Sequence, residues 1–308
     1  MKNCILLTIT IILLMSNGCS GESPTDFDTK NTPKRIVVIS PAIAEMLDRL
    51  GLADRIVGIG QFGPWPETLE DLPVVGGYDN PNVEQVIELG TDAVLNVKSQ
   101  AAMNVHHRLE TAGIEVMALD TSTVEGVFES LKLIGKRFNR AEAASETSES
   151  IRRELFQISQ ITDNLSRPKV LFVVGRNPIY VAGPESHVDY LIKLAGGENI
   201  AKDAIAPYQQ ISLEIILERK PEIIIDTSYN HSGSLRGQTA GHWRTWPFLP
   251  AVKNNRVYWV DPSQVVIPGI RMANMARLMG KFIHPEIFGK PAPGDFLKYR
   301  ISGHVRAY

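Results

Sequence analysis

One pattern occurs twice in this chain of 308 residues. Residues 83–95 read VEQVIELGTDAVL, and residues 213–225 read LEIILERKPEIII. Each copy has helical spacing of apolar residues followed by a short apolar run typical of a buried strand. A repeat period of this length is too long for a solenoid and is typical of two similar α/β lobes. The duplication therefore predicts a chain folded as two related halves.

Apolar runs alternate with amphipathic stretches in both halves. The run RIVVIS at residues 35–40 is followed by AEMLDRLG, which has helical spacing and ends in a glycine. The same alternation restarts after residue 168 with KVLFVV, and later with EIIID and RVYWVD. Buried parallel strands covered by helices are the expected architecture. We predict an α/β fold of two Rossmann-like lobes with parallel sheets, at residues 35–138 and 166–290.

A long stretch without glycine or proline separates the two predicted lobes, and we assign residues 139–165 to a linking helix. Its apolar residues, among them Ala144, Ile151, Leu155 and Ile158, recur near a helical period. As one helix, the 25 residues from 140 to 164 would be about 37 Å long. The alternative is two shorter helices with a bend near Ser148. A single helix would join the lobes stiffly and limit the closing motion that hinged loops allow.

The first eighteen residues predict a signal peptide. Lys2 precedes the run ILLTITIILLM, which is too short to cross a hydrocarbon core of about 30 Å. The stretch SNGCS that follows resembles a bacterial lipoprotein cleavage site, and this resemblance implies that Cys19 is diacylated and anchors the chain in a membrane. The alternative is a plain cleaved signal with an incidental Cys19. We expect the protein in the periplasm or at the cell surface.

The segments flanking the lobes are polar. Residues 19–34 carry the predicted lipidated cysteine and a flexible tether rich in Pro, Thr and Asp, and residues 291–308 form a tail after a Pro/Gly break. The formal net charge of −2 and the scattered basic residues do not fit a nucleic-acid partner. We expect a monomer.

Catalytic and metal-binding patterns are not found in the sequence. There is no G-x-S-x-G nucleophile motif and no obvious acid/base pair of carboxylates. His106 and His107 are adjacent, so on a helix they point about 100° apart and do not form a metal pair; we expect them on a solvated helix surface. Trp243 and Trp246 are interpreted as core anchors. We therefore predict no enzyme and no bound cofactor, with a secreted α/β enzyme as a remote alternative.

Each copy of the repeat carries one glutamate at an equivalent position. Asn82 and Ser212 are good N-cap residues, and they place Glu84 and Glu214 at the second helical position. There a carboxylate lies near the positive end of the helix dipole. Helix stability alone could explain either glutamate. Two glutamates at matching positions in two lobes indicate a shared role.

Four stretches together carry a family resemblance, namely RIVVISPAIAEMLDRLG, LPVVGGYDNPNVEQVIELGTDAVL, AGGENIAKDA and ISLEIILERKPEIII. From about residue 34 to about residue 285 the chain resembles the helical-backbone (class III) substrate-binding proteins of ABC importers for cobalamin, ferric siderophores and haem. The resemblance implies a ligand between two lobes joined by one helix. It also implies that Glu84 and Glu214 meet arginines of a permease dimer, which works with ATPase subunits.

The candidate ligand contacts come from the loops that follow the strands, because open α/β sheets bind ligands beyond the carboxyl ends of their strands. The resemblance to the cobalamin-binding members, which RNPIYVAG at residues 176–183 also supports, implies aromatic side chains that clamp a flat macrocycle. We predict a small-molecule ligand, a cobalt corrinoid, bound by Phe62, Tyr78, Tyr180, Tyr208 and Asp261.

Haem and a ferric siderophore stay open as ligands at this point. Tyrosine also ligates haem iron, so the tyrosines among these residues suit haem as well as a corrinoid. Arg176 lies in a loop suited to an anionic chelate, which is the form in which a siderophore carries iron.

Overall fold

The computed structural model describes residues 31–228, 242–262 and 268–292. The predicted signal peptide, the predicted lipidation site Cys19, most of the tether and residues 293–308 of the tail lie outside these ranges. The exact boundaries of the predicted segments stay predictions.

The N-terminal lobe is built on a parallel sheet. Its four strands have the order β2-β1-β3-β4, and every neighbouring pair is parallel. All three residues of β1 are buried, as expected for a β-branched strand covered on both faces. The elements are β1 (Ile36–Val38), α1 (Pro41–Arg49), a 3₁₀ helix (Ala53–Arg55), β2 (Ile56–Ile59), α2 (Val83–Glu88), β3 (Ala93–Val97), α3 (Met103–Thr111), β4 (Glu115–Leu119) and α4 (Val124–Arg137).

The C-terminal lobe has a six-stranded sheet with the order β10-β9-β5-β6-β8 and with β7 paired to β5. Its elements within the described ranges are β5 (Lys169–Arg176), β6 (Ile179–Ala182), α6 (His187–Leu194), β7 (Glu198–Asn199), β8 (Tyr208–Gln210), α7 (Leu213–Arg219), β9 (Ile223–Asp226), α8 (Pro250–Lys253), β10 (Val257–Trp259), α9 (Met272–Ile283) and α10 (Pro285–Phe288).

This second sheet differs from the expected parallel arrangement. Strands β5, β7, β9 and β10 are parallel, but β6 is antiparallel to both β5 and β8. The reason is local: only the two turn residues Asn177 and Pro178 separate β5 from β6. A connection of two residues joins antiparallel strands, whereas parallel strands need a long crossover. The lobe is therefore α/β with a mixed sheet.

The linking segment is one continuous helix, α5 (Ala141–Thr162), of 22 residues. It is about 33 Å long. The alternative of two helices with a bend near Ser148 is wrong; the Ser148 hydroxyl donates to the carbonyl of Ala144 at 2.8 Å within the helix. One face of α5 is buried along its whole length, at Ala144, Thr147, Ile151, Leu155, Ile158 and Thr162.

The buried face of α5 joins the cores of the two lobes. The helix contacts α4 of the first lobe and α6 and α9 of the second. One apolar cluster runs from Ile36 and Phe128 through Leu155 to Phe172 and Phe282. Smaller clusters cover the outer faces of the two sheets. The lobes therefore share a core, which opposes free rotation of one against the other.

The contact between α4 and α5 depends on a glycine. A Cβ atom placed on Gly135 would lie 2.5 Å from the Cβ of Ala144 and 3.1 Å from the carbonyl oxygen of Arg140. Such distances are well inside van der Waals contact, so a larger residue would force the two helices apart. Gly135 thus permits the close approach of the linking helix to the first lobe.

A bidentate ion pair joins the lobes at a second place. The Arg271 guanidinium, just before α9, lies 2.9 Å and 2.7 Å from the two carboxylate oxygens of Glu45 on α1. Each side chain is only 14% exposed. Burial raises the pKa of Glu45, and the attraction of Arg271 opposes this shift. Arg271 therefore stabilises the charged form of this buried carboxylate.

None of the helices within the described ranges is both long and apolar enough to cross a membrane.

We predict that Leu155→Ala lowers the free energy of unfolding by about 2 to 5 kcal/mol, because it opens a cavity in the shared core. The matched control is the neighbouring Phe156→Ala. Phe156 is 62% exposed and Leu155 is 4% exposed, so the control changes stability by about 0.5 kcal/mol or less. Urea unfolding followed by circular dichroism measures both. Equal losses in the two variants would contradict a core that passes through α5.

Candidate ligand cleft and docking helices

Two aromatic residues follow β2 at the carboxyl edge of the first sheet. The rings of Phe62 and Tyr78 are stacked, with centroids 5.8 Å apart and planes 19° apart. Phe62 is 51% exposed, whereas Tyr78 is partly buried against the outer core cluster. Burial raises the pKa of Tyr78, so its phenol is neutral at physiological pH. The pair presents one exposed aromatic ring supported by another.

A buried amide holds the backbone at Tyr78. Asn96, fully buried in β3, donates from Nδ2 to the carbonyl of Tyr78 at 2.7 Å. The same Nδ2 lies 3.2 Å from Nε2 of His106. Burial lowers the pKa of His106, which favours a neutral ring whose Nε2 accepts this hydrogen bond. His106 is only 8% exposed, so the expectation of a solvated surface is wrong for His106, whereas His107 is exposed as expected.

Sequence reasoning missed Asn96 as a positioning residue. The available signal was one polar residue inside the otherwise apolar run AVLNV, which forms β3. A buried amide in a strand needs partners, and at the end of a strand those partners lie in the neighbouring loops.

Two tyrosines lie together in the second lobe. Strands β6 and β8 pair with Tyr180 opposite Gln210 and Ala182 opposite Tyr208. Tyr180 and Tyr208 are therefore diagonal neighbours on one face of the sheet, about 7 to 8 Å apart at their backbones. They are 40% and 39% exposed. This face of β6 and β8 offers a second aromatic surface, and β6 begins directly after the carboxyl end of β5.

The hydroxyl of Tyr208 is directed inward. It lies 3.3 Å from Nδ1 of His187, at the start of α6. Burial raises the pKa of Tyr208 to about 12. The phenol therefore stays neutral and offers its ring, not a phenolate oxygen, to a ligand at physiological pH.

Arg176, the candidate for an anionic ligand, is engaged inside its own lobe. Its Nε lies 2.5 Å from the hydroxyl of Ser228 and 3.5 Å from Oδ2 of Asp226. Asp226 is fully buried, and it also accepts from the backbone N–H of Ser228 at 3.0 Å and from Nε1 of Trp243 at 2.9 Å. An anionic chelate would have to compete with Asp226 for this guanidinium.

The same network confirms the interpretation of the two tryptophans. Trp243 is fully buried, and Trp246 packs against the same outer cluster of the second lobe. They anchor the segment before α8.

Asp261 stands apart from the tyrosines. It comes two residues after β10, at one edge of the sheet, whereas Tyr180 lies on β6 beyond β9 and β5. Three strand spacings correspond to about 14 Å. The structure thus places Phe62 with Tyr78 and Tyr180 with Tyr208, and it separates Asp261 from Tyr180 by three strand spacings. Among the described residues, no group of three or more His, Cys, Asp or Glu side chains could hold a metal ion.

Both helices of the sequence repeat begin as expected. The Asn82 side chain accepts from the backbone N–H of Gln85 at 3.0 Å, which caps α2. The Ser212 hydroxyl accepts from the backbone N–H of Ile215 at 3.4 Å, which caps α7. The cap predictions are confirmed, and the following glutamates occupy the second helical position of each helix.

The two glutamates are exposed. Glu84 is 73% exposed at its side chain and pairs with Arg108 of α3 at 3.1 Å. Arg108 is itself 61% exposed, so this pair contributes little to stability. A hydrogen bond from the Ser212 hydroxyl lowers the pKa of Glu214, which keeps that carboxylate charged. Both lobes therefore present a carboxylate to solvent at the start of an equivalent helix.

Two α/β lobes joined by a single helix, with aromatic residues at the carboxyl edges of their sheets, define the class of two-lobed binding proteins with a helical backbone. Comparison with known families agrees. The family described as periplasmic binding protein matches residues 36–264, well over half of the chain, and the protein belongs to this family.

The alignments with two named relatives cover most of the chain. It is 28% identical over 273 residues to the uncharacterized ABC transporter substrate-binding lipoprotein YvrC of Bacillus subtilis, covering 86% of this chain and 85% of that one. It is 24% identical over 252 residues to a vitamin B12-binding protein of Vibrio campbellii, covering 81% and 90%. The fold is similar to that of the periplasmic haem-binding protein HutB of Vibrio cholerae, with a TM-score of 0.72 at 22% identity over 82% of this chain and 99% of that one.

Proposed function

We propose that this protein is an extracytoplasmic substrate-binding protein of an ABC importer that captures a corrinoid between its lobes and delivers it to the membrane permease. The observation that carries the proposal is the presence of an aromatic pair at the carboxyl edge of the sheet in each lobe. The vitamin B12-binding relative supports the choice of ligand. The lipoprotein relative supports an anchor at Cys19 and a position outside the cytoplasmic membrane.

The aromatic pairs suit a broad, flat ring. Phe62 is half exposed over Tyr78, and the other lobe contributes Tyr180 and Tyr208 from diagonal positions on one face of its sheet. Each stacked aromatic contact contributes about 0.5 to 1.5 kcal/mol beyond the burial of area. A macrocycle held between two such surfaces gains several contacts without needing a charged partner. Asp261, three strands away from Tyr180, would at most contact the periphery of the ring.

Haem is the second candidate, because the fold is similar to that of a haem-binding protein. A tyrosine that ligates ferric haem does so through its phenolate oxygen. Burial raises the pKa of Tyr208 to about 12, and its hydroxyl faces His187, so Tyr208 is a poor axial ligand. Burial also raises the pKa of Tyr78, so among the three candidate tyrosines Tyr180 is left to supply that bond.

A siderophore ligand and an enzymatic activity find less support. Arg176 is held by Asp226 and Ser228, which disfavours capture of an anionic siderophore. A secreted enzyme is disfavoured because the family to which the chain belongs consists of binding proteins.

The ligand is tested by mixing the protein with cyanocobalamin or with haemin, followed by gel filtration and a visible spectrum. Cyanocobalamin should co-elute at micromolar concentration. Phe62→Ala and Tyr180→Ala should each weaken binding about tenfold, from the loss of stacking and burial. Phe156→Ala, on the exposed face of α5, is the matched control and should bind normally. Absence of the corrinoid spectrum from the protein fraction would reject this ligand, and a haem spectrum there would favour the second candidate.

Delivery requires a contact with the permease, and we propose that Glu84 and Glu214 provide it. Exposed ion pairs contribute only about 0.2 to 1 kcal/mol each, so these glutamates set the register of docking more than its affinity. Arg108 already pairs with Glu84 at little energetic gain, and an arginine of the permease could replace it. Two carboxylates at equivalent positions suit a permease dimer with two-fold symmetry.

The docking role is tested with the double variant Glu84→Lys/Glu214→Lys. We expect uptake of the ligand by cells or proteoliposomes to be abolished, while the binding affinity in solution is unchanged. The control is Glu142→Lys/Glu146→Lys, which makes the same change of net charge at two exposed positions of α5. Normal uptake by the first variant, or equal loss in the control, would argue against docking through these two residues.

A further inference from the structure

A small pocket lies where the two lobes and the linking helix meet. Its volume is about 210 Å³, and it is lined by the end of α1, one face of α5 and the first turn of α9. The interlobe ion pair between Arg271 and Glu45 forms one border, since Arg271 is a lining residue. A ligand here would contact both lobes and α5 at once.

The α5 wall of the pocket carries two hydroxyl groups for which the described residues provide no hydrogen-bond partner. Thr147 is 7% exposed, and within the described ranges its hydroxyl makes no hydrogen bond. Ser150, one turn further along the same face, also makes none with any described residue. Both groups can donate to a ligand in the pocket.

The opposite wall is an uncapped helix start. Arg271 occupies the N-cap position of the twelve-residue helix α9, and its side chain makes no capping hydrogen bond. Ala273 and Asn274 line the pocket, and in the described part of the chain their backbone N–H groups have no acceptor. These groups carry the positive end of the helix dipole and favour an anion.

The charges that line the pocket leave a positive excess. Glu154 is held by Arg277 at 3.1 Å, and Arg271 is matched by Glu45. Arg49 is exposed at the end of α1, and within the described residues its guanidinium makes no ion pair or hydrogen bond. Among the described residues that line the pocket, Arg49 is therefore the charge without a counter-ion.

We propose that this pocket binds a small oxyanion of the phosphate type. Guanidinium, hydroxyl and helix N–H donors converge there from three elements, which matches an anion with several acceptor oxygens. A water molecule occupies roughly 30 Å³ in the liquid, so the pocket holds a phosphate ion with a few waters but not a macrocycle. This site is separate from the aromatic pairs and does not depend on the identity of the transported ligand.

The test is calorimetric titration of the full chain with inorganic phosphate at constant ionic strength, with chloride as the balancing anion. We expect saturable binding at millimolar phosphate or below and a rise in the melting temperature. Arg49→Gln should weaken binding about tenfold, because a charge-assisted hydrogen bond is lost. Thr147→Val, which removes the hydroxyl at nearly constant volume, should weaken binding several-fold while the protein stays folded.

The matched control is Arg153→Gln, an exposed arginine of α5 that is not among the lining residues. It should bind phosphate like the wild type. No saturable heat at millimolar phosphate, or an equal loss of affinity in Arg49→Gln and Arg153→Gln, would overturn the proposal. An equal loss in both variants would show that phosphate responds to the net charge of the protein and does not bind in this pocket.

Discussion

The packing of both lobes on the buried face of one helix is the constraint on which the rest of the structure depends. Residues of α5 from Ala144 to Thr162 contact α4 on one side and α6 and α9 on the other. The apolar cluster is continuous across this helix, so the relative position of the lobes is fixed by close packing rather than by a flexible strand. Gly135 and the ion pair between Glu45 and Arg271 reinforce the same arrangement.

This constraint predicts little hinge motion between the lobes, and it has consequences for how the protein would bind a ligand. If the lobes are held at a set separation, a ligand enters a gap whose width is already defined. Binding then costs little conformational entropy of the protein. The same rigidity keeps Glu84 and Glu214, one on each lobe, at a set spacing, as the proposed docking on a symmetric permease requires. The pocket between α1, α5 and α9 lies at the junction that sets this separation, so occupation by an anion would add contacts between the lobes.

Much of this could be predicted from sequence because local rules decide it. The continuous β-branched runs form buried strands, and the stretch without glycine or proline forms α5, both as predicted. Asn82 and Ser212 cap α2 and α7, also as predicted. Long-range pairs could not be predicted in this way. Glu45 and Arg271 are 226 residues apart, and the burial that lowers the pKa of His106 arises only when α3 packs in the folded lobe. Arg176 looked available in the sequence, but Asp226 comes beside it only when β5 and β9 pair.

The most direct test of the shared-core account is the distance between the lobes in solution. Spin labels placed at Glu84→Cys and Glu214→Cys, in a background of Cys4→Ser and Cys19→Ser, allow this distance to be measured by pulsed electron paramagnetic resonance. The account predicts one narrow distribution that shifts by less than about 2 Å when cyanocobalamin binds. A broad distribution without ligand, or a larger shift on binding, would show that α5 does not hold the lobes as one body.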